Sequence, residues 1–170
     1  NRGAGLYLAD SATMHSKKIV FFFPAFSSQE ATAPLGILAV STPLLRAGYE
    51  VRLIDSTITP NFHKRVLEEL SDALCLAVSL VTGPMIRETA ALAKAAKQMY
   101  PDLPVVLGGW HPSLLPHQTL AAEYVDVVMN GQGEDAMLEI VQRIEQGESF
   151  DGIEGVGYKK DGRLIFNRPR

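Results

Sequence analysis

Pro104 to Pro112 reads PVVLGGWHP. Val105, Val106 and Leu107 form a short apolar run with no polar alternation, the pattern of a strand buried on both faces of a sheet. Gly108 and Gly109 follow where that strand would leave the sheet. Glycine there permits backbone angles closed to other residues, or lets a large ligand lie against the main chain. Ligands of open α/β sheets bind at the C-terminal ends of the strands, so this stretch bears on both fold and function.

Outward from it, strands and helices alternate in both directions. Lys18–Phe23 predicts a first strand stopped by Pro24, and Leu35–Ala47 a helix interrupted by Pro43 and closed by Gly48. Val51–Ile54 predicts a second strand ending at Asp55, Phe62–Leu70 a second helix, and Ala73–Val78 a third, buried strand ending at Ser79. Thr82-Gly83-Pro84 opens a helix over Met85–Met99, because proline is accepted in a first turn. Past the double glycine come a short helix (Pro116–Glu123), a fifth strand (Val125–Met129), the turn Asn130-Gly131-Gln132-Gly133, and a last helix, Glu134–Gln146, stopped by Gly147. Gly155–Tyr158 and Arg163–Phe166 flank Asp161-Gly162, a hairpin signal.

Five strand–helix alternations predict an α/β fold: a flavodoxin-like (Rossmann-like) five-stranded parallel sheet of order 2-1-3-4-5, with helices on both faces and a C-terminal β-hairpin. The domain is expected over 18–150. Residues 1–17 read as an N-terminal extension, or as residues added ahead of a natural start near Met14, and 151–170 as the hairpin and the start of a linker.

The 170 residues are 46% hydrophobic and 21% charged, with a formal net charge of -3 and no basic block, so a nucleic-acid footprint is not supported. The apolar stretches are too short to span a bilayer and no signal-peptide layout is present. No membrane partner is expected, and the cytoplasm is the expected location. The single cysteine, Cys75, lies in an apolar run and reads as a buried core thiol; alone it forms neither an intrachain disulfide nor a cysteine metal cluster.

In the predicted topology the loop after Phe23, the Ser79 turn, the double glycine and the Gly131–Gly133 turn meet at one sheet edge. A phosphoryl receiver would need acidic residues after strand one and an aspartate after strand three, where Pro24-Ala25 and Ser79 stand. A flavodoxin phosphate loop is poorly matched by PAFSSQEATAPLG, which has hydroxyls but no glycine before Gly36. Neither a GxGxxG at the first helix nor a P-loop occurs. What remains is an edge of small and hydroxylated residues. As a set they cannot perform acid–base or nucleophilic chemistry, but they can admit a broad, flat ligand.

Five segments stand in order: APLGILAVSTPLLRAGYEVRLID (33–55), LAVSLVTG (76–83), VVLGGWHPSLLP (105–116), VDVVMNGQGE (125–134) and GVGYKKDGRLIFNRPR (155–170). Together they resemble the cobalamin-binding domain at the N-terminus of cobalamin-dependent radical SAM enzymes. The resemblance implies cobalamin (vitamin B12) as cofactor, its corrin ring across the C-terminal sheet edge. The dimethylbenzimidazole tail would enter a slot beside the strands near Ser79, Thr82 and Gly108-Gly109. It implies contacts from Phe26 and Ser27 of the first loop, from Ser79, Leu80, Val81, Thr82 and Gly83 after strand three, from Gly108, Gly109, Trp110, His111 and Pro112 after strand four, and from Gly131, Gln132 and Gly133 after strand five. It also implies a radical SAM barrel as partner in the parent chain, with a 4Fe-4S cluster and S-adenosylmethionine, in a methyltransferase or tetrapyrrole cyclase. The CxxxCxxC motif such a barrel needs is absent from these residues, so no catalytic set is expected here. The cobalt-ligating DxHxxG motif of other cobalamin domains is absent too, and Pro24–Pro34 holds no histidine, so a base-off state without a protein histidine on cobalt is expected. A standalone cobalamin carrier or sensor, and a module for another flat cofactor such as FMN or a tetrapyrrole, are the alternatives.

Plainer roles stand beside these. Ser79 and Thr82 could serve only to satisfy backbone groups at a helix start, and the double glycine only to make a tight turn. Trp110 could stack on ligand or cover the sheet edge; His111 could cap, bond a loop carbonyl or face the corrin, and no motif supports it as a cobalt ligand. Phe21, Phe22, Phe23 and Phe26 are expected mainly in the core, with Phe26 also available to the corrin. Glu134 reads as a first-turn helix acid, Asp55 as closing its turn, and His63 and His117 as surface residues. Either Gly108 or Gly109 is expected to tolerate enlargement without loss of the fold.

Overall fold

Alternation of period two organises the sheet. In β1 (Lys18–Phe23), Ile19 and Phe21 face one side while Val20 and Phe22 face the other, and all four are buried. The computed structural model describes residues 17–26 and 33–170, so Met14 and Ser27 lie outside the described residues. The elements following β1 are α1 (Leu35–Arg46), β2 (Glu50–Asp55), α2 (Phe62–Glu69), β3 (Ala73–Ser79), α3 (Pro84–Met99) and β4 (Val105–Gly108). Then come α4 (Trp110–Leu114), α5 (Pro116–Ala121), β5 (Val127–Met129), α6 (Glu134–Gln146), β6 (Val156–Lys160) and β7 (Arg163–Phe166).

The sheet order is β2-β1-β3-β4-β5-β6-β7, and its first five strands are parallel in the expected order. On one face Ile19, Phe21, Cys75, Ala77, Val106 and Val127 pack against Ile37 and Leu44 of α1 and Met137, Ile140 and Val141 of α6. On the other, Val20, Phe22, Leu76, Val78, Val105, Leu107 and Val128 pack against Val66 of α2, Leu92, Ala93 and Ala96 of α3, and Leu120 of α5. Two helix layers sandwich the central strands, and each fully buried Leu, Ile or Phe contributes roughly 1.5–3 kcal/mol.

Several boundaries differ from the sequence expectation. A 3-10 turn, Leu70–Asp72, extends α2. The fifth strand starts at Val127 rather than Val125, because Asp126 turns aside to accept the Val105 N–H at 2.8 Å and the Lys97 ammonium at 2.6 Å. Helix α4 was not expected after a double glycine. It forms because Pro112 falls in its first turn, where an N–H has no intrahelical acceptor.

The hairpin has positive φ at both Asp161 (49°) and Gly162 (74°), as a type I′ turn requires. β6 pairs antiparallel with β5, so the hairpin extends the sheet to seven strands rather than hanging from it. β7 then runs in the same direction as the parallel strands and ends at their C-terminal edge. Arg170 is held there by Glu139 at 2.7 Å and Asp135 at 3.5 Å, both on α6. At the opposite edge, the buried Lys18 ammonium is held by Glu69 and Asp72. No helix among the described residues is long and apolar enough to cross a membrane.

Candidate functional site

On the α1/α6 face, the top rung of the sheet lacks side-chain volume. Ser79 and Gly108 are register partners there, and Gly36 faces them from the first turn of α1. The result is a slot of about 190 Å³. Its upper walls are Gly36, Ser79, Gly108, Gly109, Met129 and the turn Gly131–Glu134; its lower walls are Phe21, Ile37, Val40 and Ala77. It opens into a wider depression of about 670 Å³ bordered by Pro34, Leu35, Val81, Trp110, Ser113 and Leu114. Gly36, Ile37, Ser79, Gly109, Gly131 and Gln132 line both, so slot and depression are continuous. Trp110 is 72% exposed at the rim, beside the exposed Leu35 and Leu114.

Two glycines keep the slot open against specific neighbours. A Cβ at Gly108 would lie 2.8 Å from the Met129 Cε, and one at Gly133 would lie 3.3 Å from the Val40 Cγ2. Gly109 differs from Gly108. Its φ is +95°, and a Cβ there would lie 2.7 Å from the Leu80 carbonyl oxygen and 3.0 Å from the Leu80 nitrogen. The expectation that either glycine can be enlarged without loss of the fold therefore fails at Gly109, where backbone strain and a backbone collision coincide.

The rim is braced by short hydrogen bonds. The Ser113 hydroxyl donates to the Gly109 carbonyl at 2.8 Å and accepts the Gly131 N–H at 3.0 Å, tying the turn after β4 to the turn after β5. After β1, the Ala25 N–H is shared by the Ser56 hydroxyl at 2.7 Å and the Glu88 carboxylate at 3.1 Å.

The slot brings together six of the sequence-predicted contact residues, Ser79, Gly108, Gly109, Gly131, Gln132 and Gly133, and the depression adds Val81 and Trp110. Six others line neither. Leu80 is 2% exposed in the opposite core. The Thr82 hydroxyl and His111 Nδ1 bond to each other at 3.0 Å. His111 is only 8% exposed, and burial pulls its imidazole below the ordinary 6.5. Pro112 is buried in α4, and Gly83 caps α3 with φ 136°. Phe26 is 54% exposed and stands beside Gly83, so it is not a core residue: Pro24 has already carried the chain off the sheet. Asp55 closes its turn, accepting the Thr57 N–H at 2.8 Å and the Thr57 hydroxyl at 2.6 Å. Glu134 lies in the first turn of α6, and His117 packs on the Phe166 ring at 4.0 Å.

Sequence reasoning missed Gly36, Val40, Ala77, Met129 and Ser113. The available signals were a glycine inside a helical first turn and a single alanine at an inward position of an otherwise bulky strand. Chemically, the slot offers one hydroxyl (Ser79), one amide (Gln132) and one carboxyl (Glu134) on largely apolar walls. Such a lining suits holding a ligand against apolar walls. An apolar cavity of about 150 Å³ accepts a benzene-sized ring. The slot is somewhat larger than that, and the depression more than three times the slot's volume.

Comparisons with known proteins match this layout. The profile of the B12 binding domain covers residues 25–141. The anaerobic magnesium-protoporphyrin IX monomethyl ester cyclase of Synechocystis sp. is 26% identical over 157 residues, 86% of this chain and 31% of that protein. The hopanoid C-3 methylase of Methylococcus capsulatus is 28% identical over 129 residues, 72% of this chain and 24% of that protein. The chain thus spans about a quarter to a third of the length of these relatives. The radical S-adenosylmethionine methyltransferase TsrM from Kitasatospora setae, solved with cobalamin and a 4Fe-4S cluster, superposes with a TM-score of 0.79 at 21% identity. That match covers 91% of this chain and 29% of TsrM, and shows a shared fold. With a family profile spanning more than half of its residues, the chain belongs to the B12 binding domain family.

Proposed function

We propose that this chain is the cobalamin-binding module of a larger cobalamin-dependent radical SAM enzyme, a methyltransferase or cyclase. The observation that carries the reading is the continuity of a narrow slot with a broad depression at the C-terminal sheet edge, lined, apart from Phe21 and Phe23, by residues of the segment that matches the B12 binding profile. Ser79, Gly108, Gly109 and the Gly131–Gly133 turn would admit the nucleotide tail to the slot. Leu35, Trp110 and Leu114 would border the corrin. Bound cobalamin supplies methyl-carrying or radical-assisting chemistry, and this chain supplies position. Its small side chains let the main chain approach, and its apolar floor keeps water out.

The cofactor is held base-off with no protein histidine on cobalt. In support, none of the three described histidines lines either cavity, and His111 is engaged by Thr82. The likeness to TsrM, a radical S-adenosylmethionine methyltransferase with a bound 4Fe-4S cluster, supports a radical SAM barrel as the partner elsewhere in the parent chain. A cytoplasmic location goes with this reading.

Reconstitution tests it. The purified chain is mixed with hydroxocobalamin, desalted and scanned in the visible. Retained corrin absorbance with a base-off spectrum is expected. No retained absorbance refutes the function, and a spectrum of histidine-ligated cobalt refutes the ligation state.

A further inference from the structure

The walls of the slot change character with depth. Ser79, Gln132 and Glu134 sit at the top, level with the strand ends and the start of α6. Ala77 lies two residues down β3, about 6–7 Å lower by the rise of a strand. Phe21 is its register partner on β1, and Ile37 and Val40 of α1, the latter one turn along from Gly36, line the lower wall with them. None of these four side chains carries a nitrogen or oxygen, and the main-chain groups of β1 and β3 at that level belong to the sheet ladder. A ring entering the slot therefore meets hydrogen-bonding side chains at the entrance and none at the floor.

We infer that the slot selects the lower base of its corrinoid, taking a benzimidazole-class base and discriminating against a purine. The inference rests on the proposed cobalamin reading. Adenine carries an exocyclic amine and ring nitrogens on its six-membered ring. Against Phe21, Ala77, Ile37 and Val40 these lose water and gain no partner. Dimethylbenzimidazole presents C–H and methyl groups at the same place, which gain from burial. One or two unsatisfied polar groups weaken binding about ten- to a hundredfold.

The test titrates the purified chain with hydroxocobalamin, an adenine-bearing cobamide, and cobinamide, which lacks the lower nucleotide. Binding is read from Trp110 fluorescence and corrin absorbance. Cobalamin is expected to bind tightest, with the adenine form weakened about ten- to a hundredfold, toward cobinamide. Equal affinity for the two complete cobamides, with cobinamide much weaker, overturns the selectivity and leaves the tail in the slot. Equal affinity for all three, or no binding, overturns the underlying reading instead. A second arm uses Val40→Asn, which places an amide at the half-buried lower wall. The ratio of cobalamin to adenine-cobamide affinity should narrow severalfold with the melting temperature little changed. An unchanged ratio in this folded variant overturns the inference.

Discussion

Gly36→Leu separates the slot from the fold. Gly36 is the second residue of α1, and a Cβ there meets only the Ser79 Oγ, at 3.9 Å, an ordinary contact. Its φ is not in the left-handed region, and leucine is a far better helix former, so the helix gains up to about 0.5–1 kcal/mol. For a chain of this size that raises the melting temperature by at most about 1–4 °C. The new side chain points at the slot of about 190 Å³ and the depression it opens into. Burying a leucine there is worth up to roughly 1.5–3 kcal/mol. A cofactor tail must displace it at that cost, which weakens cobalamin binding about ten- to a hundredfold. The assay pairs a thermal melt with hydroxocobalamin titration of the same preparation. Wild-type affinity in a folded Gly36→Leu chain would refute the placement of the tail. A melting temperature lowered by many degrees would refute the open space at Gly36.

Four further outcomes follow from the same geometry. Gly109→Ala should lose about 1–3 kcal/mol in urea unfolding, since it combines a left-handed φ with a 2.7 Å approach to the Leu80 carbonyl; a stability equal to wild type would refute that strain. Ser113→Ala takes the hydroxyl acceptor from the Gly131 N–H and one of two donors from the Gly109 carbonyl, which keeps the residue 113 N–H, costing about 0.5–1.5 kcal/mol per lost bond, and should speed cobalamin release in a stopped-flow chase; an unchanged rate would detach Ser113 from the rim. Thr89→Val should stabilise by about 1 kcal/mol, because the Thr89 Oγ1 is buried in α3 without a partner; a lower urea midpoint would count against it. Burial holds His111 below its ordinary 6.5, so just below that pH the unfolded chain binds more protons than the native one, and stability falls as pH falls through that window. His111→Gln should flatten the urea midpoint between about pH 7 and about pH 5; identical pH slopes would refute the assignment.

The strands were legible because a run buried on both faces, such as Cys75–Val78 or Val105–Leu107, has few other uses in a chain with regular helix starts and stops. The Asp161-Gly162 turn was legible because two consecutive positive φ angles demand those residue types. Helix α4 was not, since two glycines and a proline each argue against a helix, and only their spacing reconciles them with one. The slot was half legible. Its upper rim is made of glycines, which announce themselves. Its floor is made by what is absent above Phe21 and Ala77, and a cavity depends on which face each residue takes. The same ambiguity grouped Thr82 and His111 with Ser79. They do meet each other, but they line neither cavity, because the chain turns toward the α3 face after Ser79.

The anchoring of Arg170 on Asp135 and Glu139 has a practical side. A peptide fused after it leaves from the C-terminal edge of the sheet, the edge that carries the depression, and, if short and flexible, reaches it at an effective concentration on the order of millimolar. A polyhistidine tag in that position would offer imidazoles to cobalt and could counterfeit the spectrum that tests for histidine ligation. The same tag joined ahead of Lys17 departs from the opposite edge of the sheet, where β1 begins, and leaves the spectrum to the protein.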